Sequence, residues 1–442
     1  MTKYFMPDWS DKLDPGFNFQ TDTYTPNRDV SQDVYAHQIL TVKHPYDGIL
    51  VSRAVIEKSK GSYEELQKYG VRRYFRLSEG MEVFGDCGAF SYVNEDDPWY
   101  ETEDVINYYA KIGANYGASV DHLIFNTIYI TETLEDIQED GSIIIRKEKR
   151  KVEMPDNERK RRIELTLHNA RDFLRLHRKH KYSFTPVGVA QGGEPTIYAE
   201  SVKALMKMGY TYIAIGGLAR SNANHILDVL KAVNKAVEES SIPKSKDIRF
   251  HLFGVAKMTL LEKLSKYRVA SIDSASYLRK AWLRSGQNYL CANGEWHTAI
   301  RVPQSSQRRV QDYICTNGKT LEQVQSQEAY CLKMLQRYND KGLSTDEFEH
   351  LLDAIIEYDT YLFRAGDDGQ KMRDKKVSKE KYRRTLEAKP WEHCNCEICR
   401  EIGVHVVIFR GTNRNKRRGF HNTWTFYQRL KNVKDRADET AM

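Results

Sequence analysis

Apolar and polar positions follow two different periods along the middle of the chain. Between about residues 47 and 285, short runs rich in β-branched residues alternate with longer stretches whose apolar positions recur every three or four residues. Strand-like runs that alternate with helical ones predict a parallel α/β sheet. The strand-like runs are Val83-Phe84, Val120 to Phe125, Phe184 to Ala190, Tyr212 to Ile215, Phe250 to Val255 and Val269 to Ile272.

The clearest repeating unit begins with a helix predicted over residues 198 to 208. This helix ends at Gly209, where glycine suits a left-handed cap, and the strand-like run 212 to 215 ends at Gly216-Gly217. The apolar face of the next helix follows at Ile226, Val229, Leu230, Val233 and Val237. Recurrence of this unit favours an α/β fold of the (β/α)8 barrel type, and a doubly wound open sheet is the alternative.

Two stretches interrupt this pattern. Residues 132 to 162 are charged and include the hairpin signal Asp140-Gly141, which predicts an excursion from the barrel. Residues 303 to 390 predict a helical insertion, because Ser344 to Glu347 has the form of a capping box and Leu321 to Tyr338 is amphipathic.

Composition indicates a globular protein with enough apolar residues for a large core. The chain has 442 residues, of which 40% are hydrophobic and 29% are charged. Neither a signal peptide nor a run of eighteen apolar residues is present, so we expect a cytoplasmic protein without a membrane segment.

The net charge of +7 is modest, but the basic residues are clustered. Residues 146 to 162 hold nine basic and four acidic residues, and residues 371 to 389 hold nine and three. A solvated face and a nucleic-acid contact are both open interpretations of the first cluster. Residues 410 to 418 hold five basic residues and no acidic one, and here we predict phosphate contacts by Arg414, Lys416, Arg417 and Arg418.

The seven cysteines divide into a motif and scattered residues. An odd number without an export signal argues against a disulfide framework, and Cys87, Cys291, Cys315 and Cys331 have no metal-binding spacing. The motif consists of Cys394, Cys396 and Cys399, followed by His421, and it provides a complete tetrahedral set for a structural Zn²⁺. His393 is an alternative fourth ligand.

We therefore predict three regions: a barrel over residues 1–302, the insertion over 303–390, and a zinc-binding subdomain over 391–442 whose final helix returns to the barrel.

Two carboxylates follow strand-like runs, and they are the candidates for catalysis. Asp86 lies in Gly85-Asp-Cys-Gly-Ala-Phe90, and Asp273 follows Val269 to Ile272. A carboxylate that follows a barrel strand reaches the catalytic face. The structural alternatives are a turn residue for Asp86 and a helix N-cap for Asp273.

The order and spacing of these motifs resemble those of the tRNA-guanine transglycosylases, and most closely the 7-deazaguanine DNA transglycosylase branch. The resemblance covers roughly residues 45 to 290 and 390 to 432. It implies a barrel in which Asp273 is the nucleophile that attacks C1′ of the sugar and Asp86 is the general acid and base. It also favours His421 as the zinc ligand, because His421-Asn422 matches the family's motif.

The resemblance further implies a pocket for the exchanged base. Phe90 matches the aromatic residue that stacks on the base, and Gln191 matches the glutamine that contacts it. The other matched positions are Gly216, Gly217, Leu218, Phe253 and Gly254. An additional aspartate of the tRNA enzymes has no evident match, and Asn126 lies near its position.

Three departures favour the DNA branch, and the position near Asn126 is the first of them. Ser274-Ala-Ser-Tyr277 replaces the proline and arginine motif with which the tRNA enzymes bind tRNA, and 121 positions separate Asp273 from Cys394. We therefore predict exchange of guanine in DNA for a 7-deazaguanine such as preQ0, with the target guanosine flipped out or unpaired. The resemblance also implies accessory ATPase or helicase-like proteins. The alternatives are exchange in tRNA and a non-catalytic, zinc-containing nucleic-acid-binding protein.

Overall fold

The computed structural model describes residues 2–8, 11–137, 143–243, 245–283, 286–306, 311, 318–364 and 371–439. These residues form two compact units. The first comprises Asp47–Ser274 with the terminal segments Met1–Trp9 and Val433–Met442, and the second comprises Ser10–Tyr46 and Ala275–Asn432.

In the described part of the first unit there are ten strands, eight of which close into a parallel barrel in the order β1-β10-β9-β8-β7-β4-β3-β2. The strands are β1 (Lys3–Pro7), β2 (Gly48–Ser52), β3 (Glu82–Asp86), β4 (Tyr116–Ala118), β5 (Thr127–Ile137), β6 (Ile143–Glu153), β7 (Thr185–Ala190), β8 (Tyr212–Ile215), β9 (Arg249–Leu252) and β10 (Val269–Asp273). Closure confirms the predicted barrel and excludes the open sheet. The strand that closes it, β1, was not predicted, and it pairs Phe5 with Asp273.

Helices follow most of the barrel strands. Their bounds are Arg53–Ile56, Lys60–Tyr69, Val71–Tyr74, Thr102–Ile112, Asp156–His180, Pro195–Met208, Ala223–Glu238 and Leu261–Leu264. The helix predicted to end at Gly209 is confirmed, because that glycine has φ +102° in the left-handed region. The apolar face predicted for Ala223–Glu238 is also confirmed, since all five of its predicted positions are buried.

The barrel interior is filled by apolar side chains from successive strands. Phe5, Leu50, Phe84, Val187 and Ala214 are among its buried residues. The excursion is an antiparallel hairpin in which β5 pairs with β6. Its predicted turn at Asp140-Gly141 lies outside the described residues.

One predicted strand was placed too late in the sequence. The run from Val120 to Phe125 is not a strand, because β4 ends at Ala118. Val120, Leu123 and Ile124 are nevertheless buried. A buried apolar loop therefore has the same sequence character as a buried strand, which is why the pattern misplaced the strand's end.

The second unit is largely helical in its described part. Its helices are Ala36–Ile39, Ser276–Lys280, Leu321–Lys341, Thr345–Arg364, Lys371–Ala388, Glu397–Ile402 and Gly411–Glu439, the last of which continues past Asn432. Strands β11 (Tyr289–Leu290) and β12 (Trp296–His297) pair antiparallel, and β13 (Ile300–Arg301) pairs parallel with β14 (Ile408–Phe409). The capping box is confirmed: Ser344 Oγ accepts from the Glu347 amide at 3.3 Å, and the Glu347 carboxylate accepts from the Ser344 amide at 3.0 Å. The three-region division stays a prediction.

None of the helices in the described part of the chain is both long and apolar enough to cross a membrane.

Candidate functional site

Three carboxylates lie at or just beyond the carboxyl ends of barrel strands in the first unit. Asp86 is the last residue of β3, Asp273 is the last residue of β10, and Asp121 follows the end of β4 at Ala118. The carboxyl ends of parallel barrel strands lie on one face, so these side chains approach the same region. The helix after Asp273 is capped by Ala275, which excludes the N-cap alternative for that aspartate.

Asp273 is held by two hydrogen bonds to the same oxygen. Its Oδ1 accepts from the Gly254 amide at 2.9 Å and lies 3.2 Å from His251 Nε2. Asp273 is only 6% exposed, so it lies largely within the barrel. Within the described part of the chain Oδ2 accepts no hydrogen bond, so this oxygen is the one available to a substrate.

A chain of hydrogen bonds orients His251 toward Asp273. Ser271 Oγ lies 2.6 Å from His251 Nδ1 and 2.5 Å from the Tyr212 hydroxyl. If the histidine donates from Nε2 to the carboxylate, then Nδ1 accepts from Ser271, and Ser271 accepts from Tyr212. Phe84 stacks on the imidazole at 4.3 Å between ring centroids. The arrangement holds the imidazole in place beside the Asp273 carboxylate.

Asp86 and Asp121 have pKa values displaced toward neutrality. The pKa of Asp86 is raised to about 8, chiefly by burial and next by the negative charges of Asp121 and Asp273. Burial also raises the pKa of Asp121 to about 6, opposed by hydrogen bonds from Gln191 and Cys87. Near pH 7 the site therefore holds a protonated Asp86 beside a largely ionised Asp121. Two carboxyl groups with separated pKa values are suited to acid and acceptor roles respectively.

Asp121 is the functional candidate that the sequence prediction missed. Its Oδ2 accepts from Gln191 Nε2 at 2.7 Å, its Oδ1 lies 3.4 Å from the Cys87 thiol, and its backbone carbonyl accepts from the Tyr92 hydroxyl at 3.0 Å. Asn126, which we predicted near this position, is exposed at the start of the hairpin. Asp121, and not Asn126, is therefore the residue that contacts Gln191, and the base-reading role of Asn126 stays a prediction. An aspartate that follows a buried valine, as at Val120-Asp121, was the available signal.

Gln191 lies against the glycines that follow β8. Gln191 is buried, and its Oε1 atom has no hydrogen-bond partner in the described structure, so this atom offers an acceptor. A Cβ atom at Gly216 would overlap the Gln191 amide, and Gly217 has φ +77°. Glycine is therefore required at both positions, by close approach at the first and by backbone conformation at the second. Leu218, the last residue matched here, is fully buried.

The other predicted pocket residues fall into two groups. Phe253 lies edge-on to His251 at 4.6 Å, and Gly254 provides the amide that binds Asp273. Phe90 lies in a short 3-10 turn, Ala89–Ser91, and is 50% exposed. The structure thus places these residues in the loops that follow β3 and β9.

The predicted zinc ligands converge in the second unit. One ligand atom from each of Cys394, Cys396, Cys399 and His421 lies within 4.8 Å of all the others. The three sulfurs are 3.5, 3.5 and 3.4 Å from His421 Nδ1. Tetrahedral Zn²⁺ with ordinary bond lengths requires a sulfur to nitrogen separation of roughly 3.5 Å. The four side chains therefore fit Zn²⁺, and the closed set leaves no position for a substrate.

Neighbouring groups fix the orientation of the histidine. His421 Nε2 lies 2.8 Å from the Leu290 carbonyl, so Nε2 carries the proton and Nδ1 is left for the metal. Tyr289 stacks on the imidazole at 4.1 Å, and its hydroxyl lies 3.3 Å from Cys399 Sγ. These contacts fix the imidazole in the orientation that a structural Zn²⁺ would require.

The predicted phosphate contacts are contradicted for the three arginines near His421. Arg414, Arg417 and Arg418 are at most 1% exposed. Arg414 pairs with Asp22, Arg417 donates to the Asp14 carbonyl, and Arg418 donates to the carbonyls of Ala281, Val406 and Ile408. The three guanidinium groups are therefore enclosed within the second unit, where Arg414 Nε and Arg417 Nε have no hydrogen-bond partner among the described residues. Lys416 is half-buried and donates to the Lys12 carbonyl at 2.7 Å, so it is not presented as a free cation either.

Comparison with known proteins finds a similar chain of nearly the same length. A DNA-guanine transglycosylase from Salmonella montevideo is 35% identical over 443 residues, which cover 97% of this chain and 96% of that protein. No family model matches the chain. Because nearly all of both chains is matched, the similarity is not confined to one of the two units.

Proposed function

This chain belongs to the DNA-guanine transglycosylases of the tRNA-guanine transglycosylase superfamily, and we propose that it exchanges guanine in DNA for a 7-deazaguanine such as preQ0. Membership confirms the family predicted from the motifs and makes the protein a pentosyltransferase-type enzyme. The observation that carries the mechanism is the trio of carboxyl groups at the strand ends, in which Asp273 is held by donors while the pKa of Asp86 is raised to about 8.

The first step forms a covalent glycosyl-enzyme. Asp273 Oδ2 attacks C1′ of the target nucleotide, a carbon to oxygen bond forms, and the bond from C1′ to N9 of guanine breaks with its electron pair going to the base. Asp86, protonated near pH 7, donates its proton to the departing guanine. The covalent ester holds the DNA strand intact while the bases exchange.

The second step reverses these roles. The incoming deazaguanine loses its N9 proton to the Asp86 carboxylate, N9 attacks C1′, and the ester bond to Asp273 breaks. Two displacements at C1′ restore the original anomeric configuration, as in retaining glycosidases. One residue thus serves first as acid and then as base.

Base recognition is assigned to Asp121 and Gln191. The carboxylate of Asp121 and the free Oε1 of Gln191 are both acceptors, and guanine-like rings present N–H donors along one edge. The absence of a side chain at Gly216 leaves room for the Gln191 amide. Both guanine and a 7-deazaguanine carry these N–H groups, which permits one pocket to accept the leaving and the incoming base.

Two further features of the proposal support the reaction without taking part in its chemical steps: opening of the DNA and the structural metal ion. A base inside a duplex cannot reach the pocket, so the target guanosine must be flipped out or unpaired, and accessory ATPase or helicase-like proteins would supply that opening. The Cys394, Cys396, Cys399 and His421 cluster would hold Zn²⁺ as a structural ion that stabilises the second unit.

The deciding experiment offers labelled guanine or labelled preQ0 with duplex DNA, single-stranded DNA and tRNA in parallel. We expect label in DNA and none in tRNA. Incorporation only into tRNA would replace the DNA assignment with the tRNA alternative. Binding of nucleic acid without incorporation into any polymer, under conditions where Asp273→Asn behaves like the parent, would indicate the non-catalytic alternative.

A further inference from the structure

Three loops of the barrel bring Phe90 together with Phe125 and Arg220, two residues that the proposed reaction does not use. The loops after β3, β4 and β8 each contribute one residue, four positions beyond a pocket residue. These pairs are Asp86 and Phe90, Asp121 and Phe125, and Gly216 and Arg220. Because all three loops leave the carboxyl ends of strands, we call Phe90, Phe125 and Arg220 the mouth cluster.

The members of the mouth cluster are in direct contact. The rings of Phe90 and Phe125 are 5.6 Å apart between centroids, with an interplanar angle of 61°. The Arg220 guanidinium carbon lies 4.8 Å from the Phe125 centroid and 5.5 Å from the Phe90 centroid. These distances are within the range of cation–π attraction.

The mouth cluster is exposed to solvent, and its cation and aromatic rings are groups that could bind a ligand. Phe90 is half exposed, and Arg220 is exposed at the end of the 3-10 turn Leu218–Arg220. No carboxylate of the described residues forms an ion pair with Arg220. A flat cation layered on aromatic rings offers a stacking surface for a base and N–H groups for a phosphate. A nucleotide carries both of these groups.

We propose that the mouth cluster binds the nucleotide next to the exchanged guanosine in a DNA strand. Phe90 keeps its place against the exchanged base, the neighbouring base stacks on the guanidinium plane of Arg220, and the guanidinium edge pairs with the phosphate between the two nucleotides. Phe125 supports the guanidinium from its other side. The inference rests on the proposed function, because that function supplies the DNA strand.

The test is binding of the full-length protein to a twelve-nucleotide single-stranded DNA with one guanine, measured over a range of salt concentrations. Arg220→Gln should lower affinity about tenfold and reduce the slope of log affinity against log salt by about 0.7, the loss of one phosphate contact on a single strand. Arg220→Lys should keep the slope and still lose affinity, since it keeps the charge without the plane. Phe125→Leu should weaken binding at unchanged slope.

A matched control removes the same charge elsewhere on the first unit. Arg175 lies exposed on the helix Asp156–His180 beside Asp172, so Arg175→Gln should leave affinity and slope at the parental values. A second probe replaces one base beside the guanine with an abasic site. The parent should then lose about tenfold in affinity, and Arg220→Gln should lose almost nothing further, because the stacking partner is already gone.

The outcomes separate this inference from the proposed function when base exchange into long DNA is measured on the same proteins. If the parent exchanges guanine and Arg220→Gln keeps the parental affinity and salt slope, the nucleotide-binding role of the mouth cluster is wrong. The proposed function is then unaffected. A parent that binds through Arg220 and exchanges no base would overturn the proposed function alone. Equal losses on the abasic probe for parent and variant would also reject the stacking role.

Discussion

At the scale of single residues, Asp86 and Asp121 differ from ordinary surface carboxyls because the barrel desolvates both. Burial is the largest cause of each raised pKa, to about 8 for Asp86 and about 6 for Asp121. Asp86 has the higher pKa because two further negative charges act on it, those of Asp121 and Asp273, while Asp121 receives hydrogen bonds from Gln191 and Cys87. The two groups therefore differ in protonation between these pH values.

This difference predicts a bell-shaped dependence of kcat/KM on pH. Below about pH 6 Asp121 becomes protonated and loses its capacity as an acceptor, and above about pH 8 Asp86 loses the proton that it donates to guanine. We expect kcat/KM to rise through the first value and fall through the second, measured by incorporation of labelled base. Asp121→Asn should remove the acidic limb and keep the basic one. A parental rate that stays constant from pH 5 to pH 9 would contradict both assignments.

The nucleophile is tested best by a substitution that keeps its hydrogen bonds. Asp273 accepts from His251 and Gly254 in the interior, so Asp273→Ala would leave two buried donors unpaired at a cost of about 1–3 kcal/mol in the free energy of unfolding. Asp273→Asn retains an acceptor oxygen and lacks the nucleophile. We expect both variants to lose exchange by at least about 10³-fold.

Trapping gives an independent measurement of the same residue. Denaturing gels should show a protein linked covalently to nucleic acid with the parent and none with either variant, while Asp273→Asn melts near the parental temperature. Exchange by Asp273→Asn at near the parental rate would show that another residue attacks C1′.

At the scale of elements, Arg418 shows how the helix Gly411–Glu439 is fixed in the second unit. Its guanidinium donates to the carbonyls of Ala281, Val406 and Ile408 at 2.6 to 3.1 Å, and the side chain is fully buried. Burial lowers its pKa to about 9, because the charged form loses solvation. One side chain thus pairs several carbonyl groups that water does not reach.

Replacement of this arginine should therefore affect stability. Arg418→Met keeps much of the apolar volume and leaves the carbonyls without donors, so we expect a loss of about 2–5 kcal/mol in the free energy of unfolding. Chemical denaturation measures it. Arg384→Met is the control, because Arg384 is exposed and makes a single ion pair with Glu295, which should contribute less than about 1 kcal/mol. Equal stability of the two variants would refute a structural role for Arg418.

At the scale of the whole molecule, the cluster of three cysteines and one histidine joins positions that lie far apart in the sequence. His421 on the helix Gly411–Glu439 meets the cysteines around Glu397–Ile402, and its Nε2 reaches the Leu290 carbonyl on β11. A closed four-ligand site contributes its binding energy to folding. Loss of the ion should therefore lower the stability of the second unit.

We accordingly expect one Zn²⁺ per chain by elemental analysis of protein purified without chelator. Cys396→Ser should lose the metal and melt at a lower temperature, because a hydroxyl is a poor ligand for this site. Cys291→Ser, which changes a cysteine outside the four-residue cluster, should retain one ion per chain. If parental protein from which the metal has been removed melts at the same temperature as the zinc-containing protein, the zinc site is not structural.

The sequence by itself determined the alternating α/β pattern, the two strand-end carboxylates and the four clustered ligands, whereas the tertiary structure decided that the sheet closes through β1. Each of the features that the sequence determined depends on local information: the period of apolar positions, the glycines that interrupt it, and the spacing of residues with distinctive chemistry. Asp86 and Asp273 end their strands as expected, and Cys394, Cys396, Cys399 and His421 converge. Their catalytic and ligand roles stay predictions.

Only the tertiary structure decided where β4 ends and what surrounds the arginines. The buried loop after Ala118 is as apolar as a strand, so periodicity could not separate Asp121 from Asn126 as the residue beside Gln191. The charge run 410 to 418 gave no sign of burial, because the groups that pair with it come from distant positions such as Asp22 and Ala281. The physical reason is that desolvation and pairing of a charge depend on neighbours in space, which the order of residues along the chain does not specify.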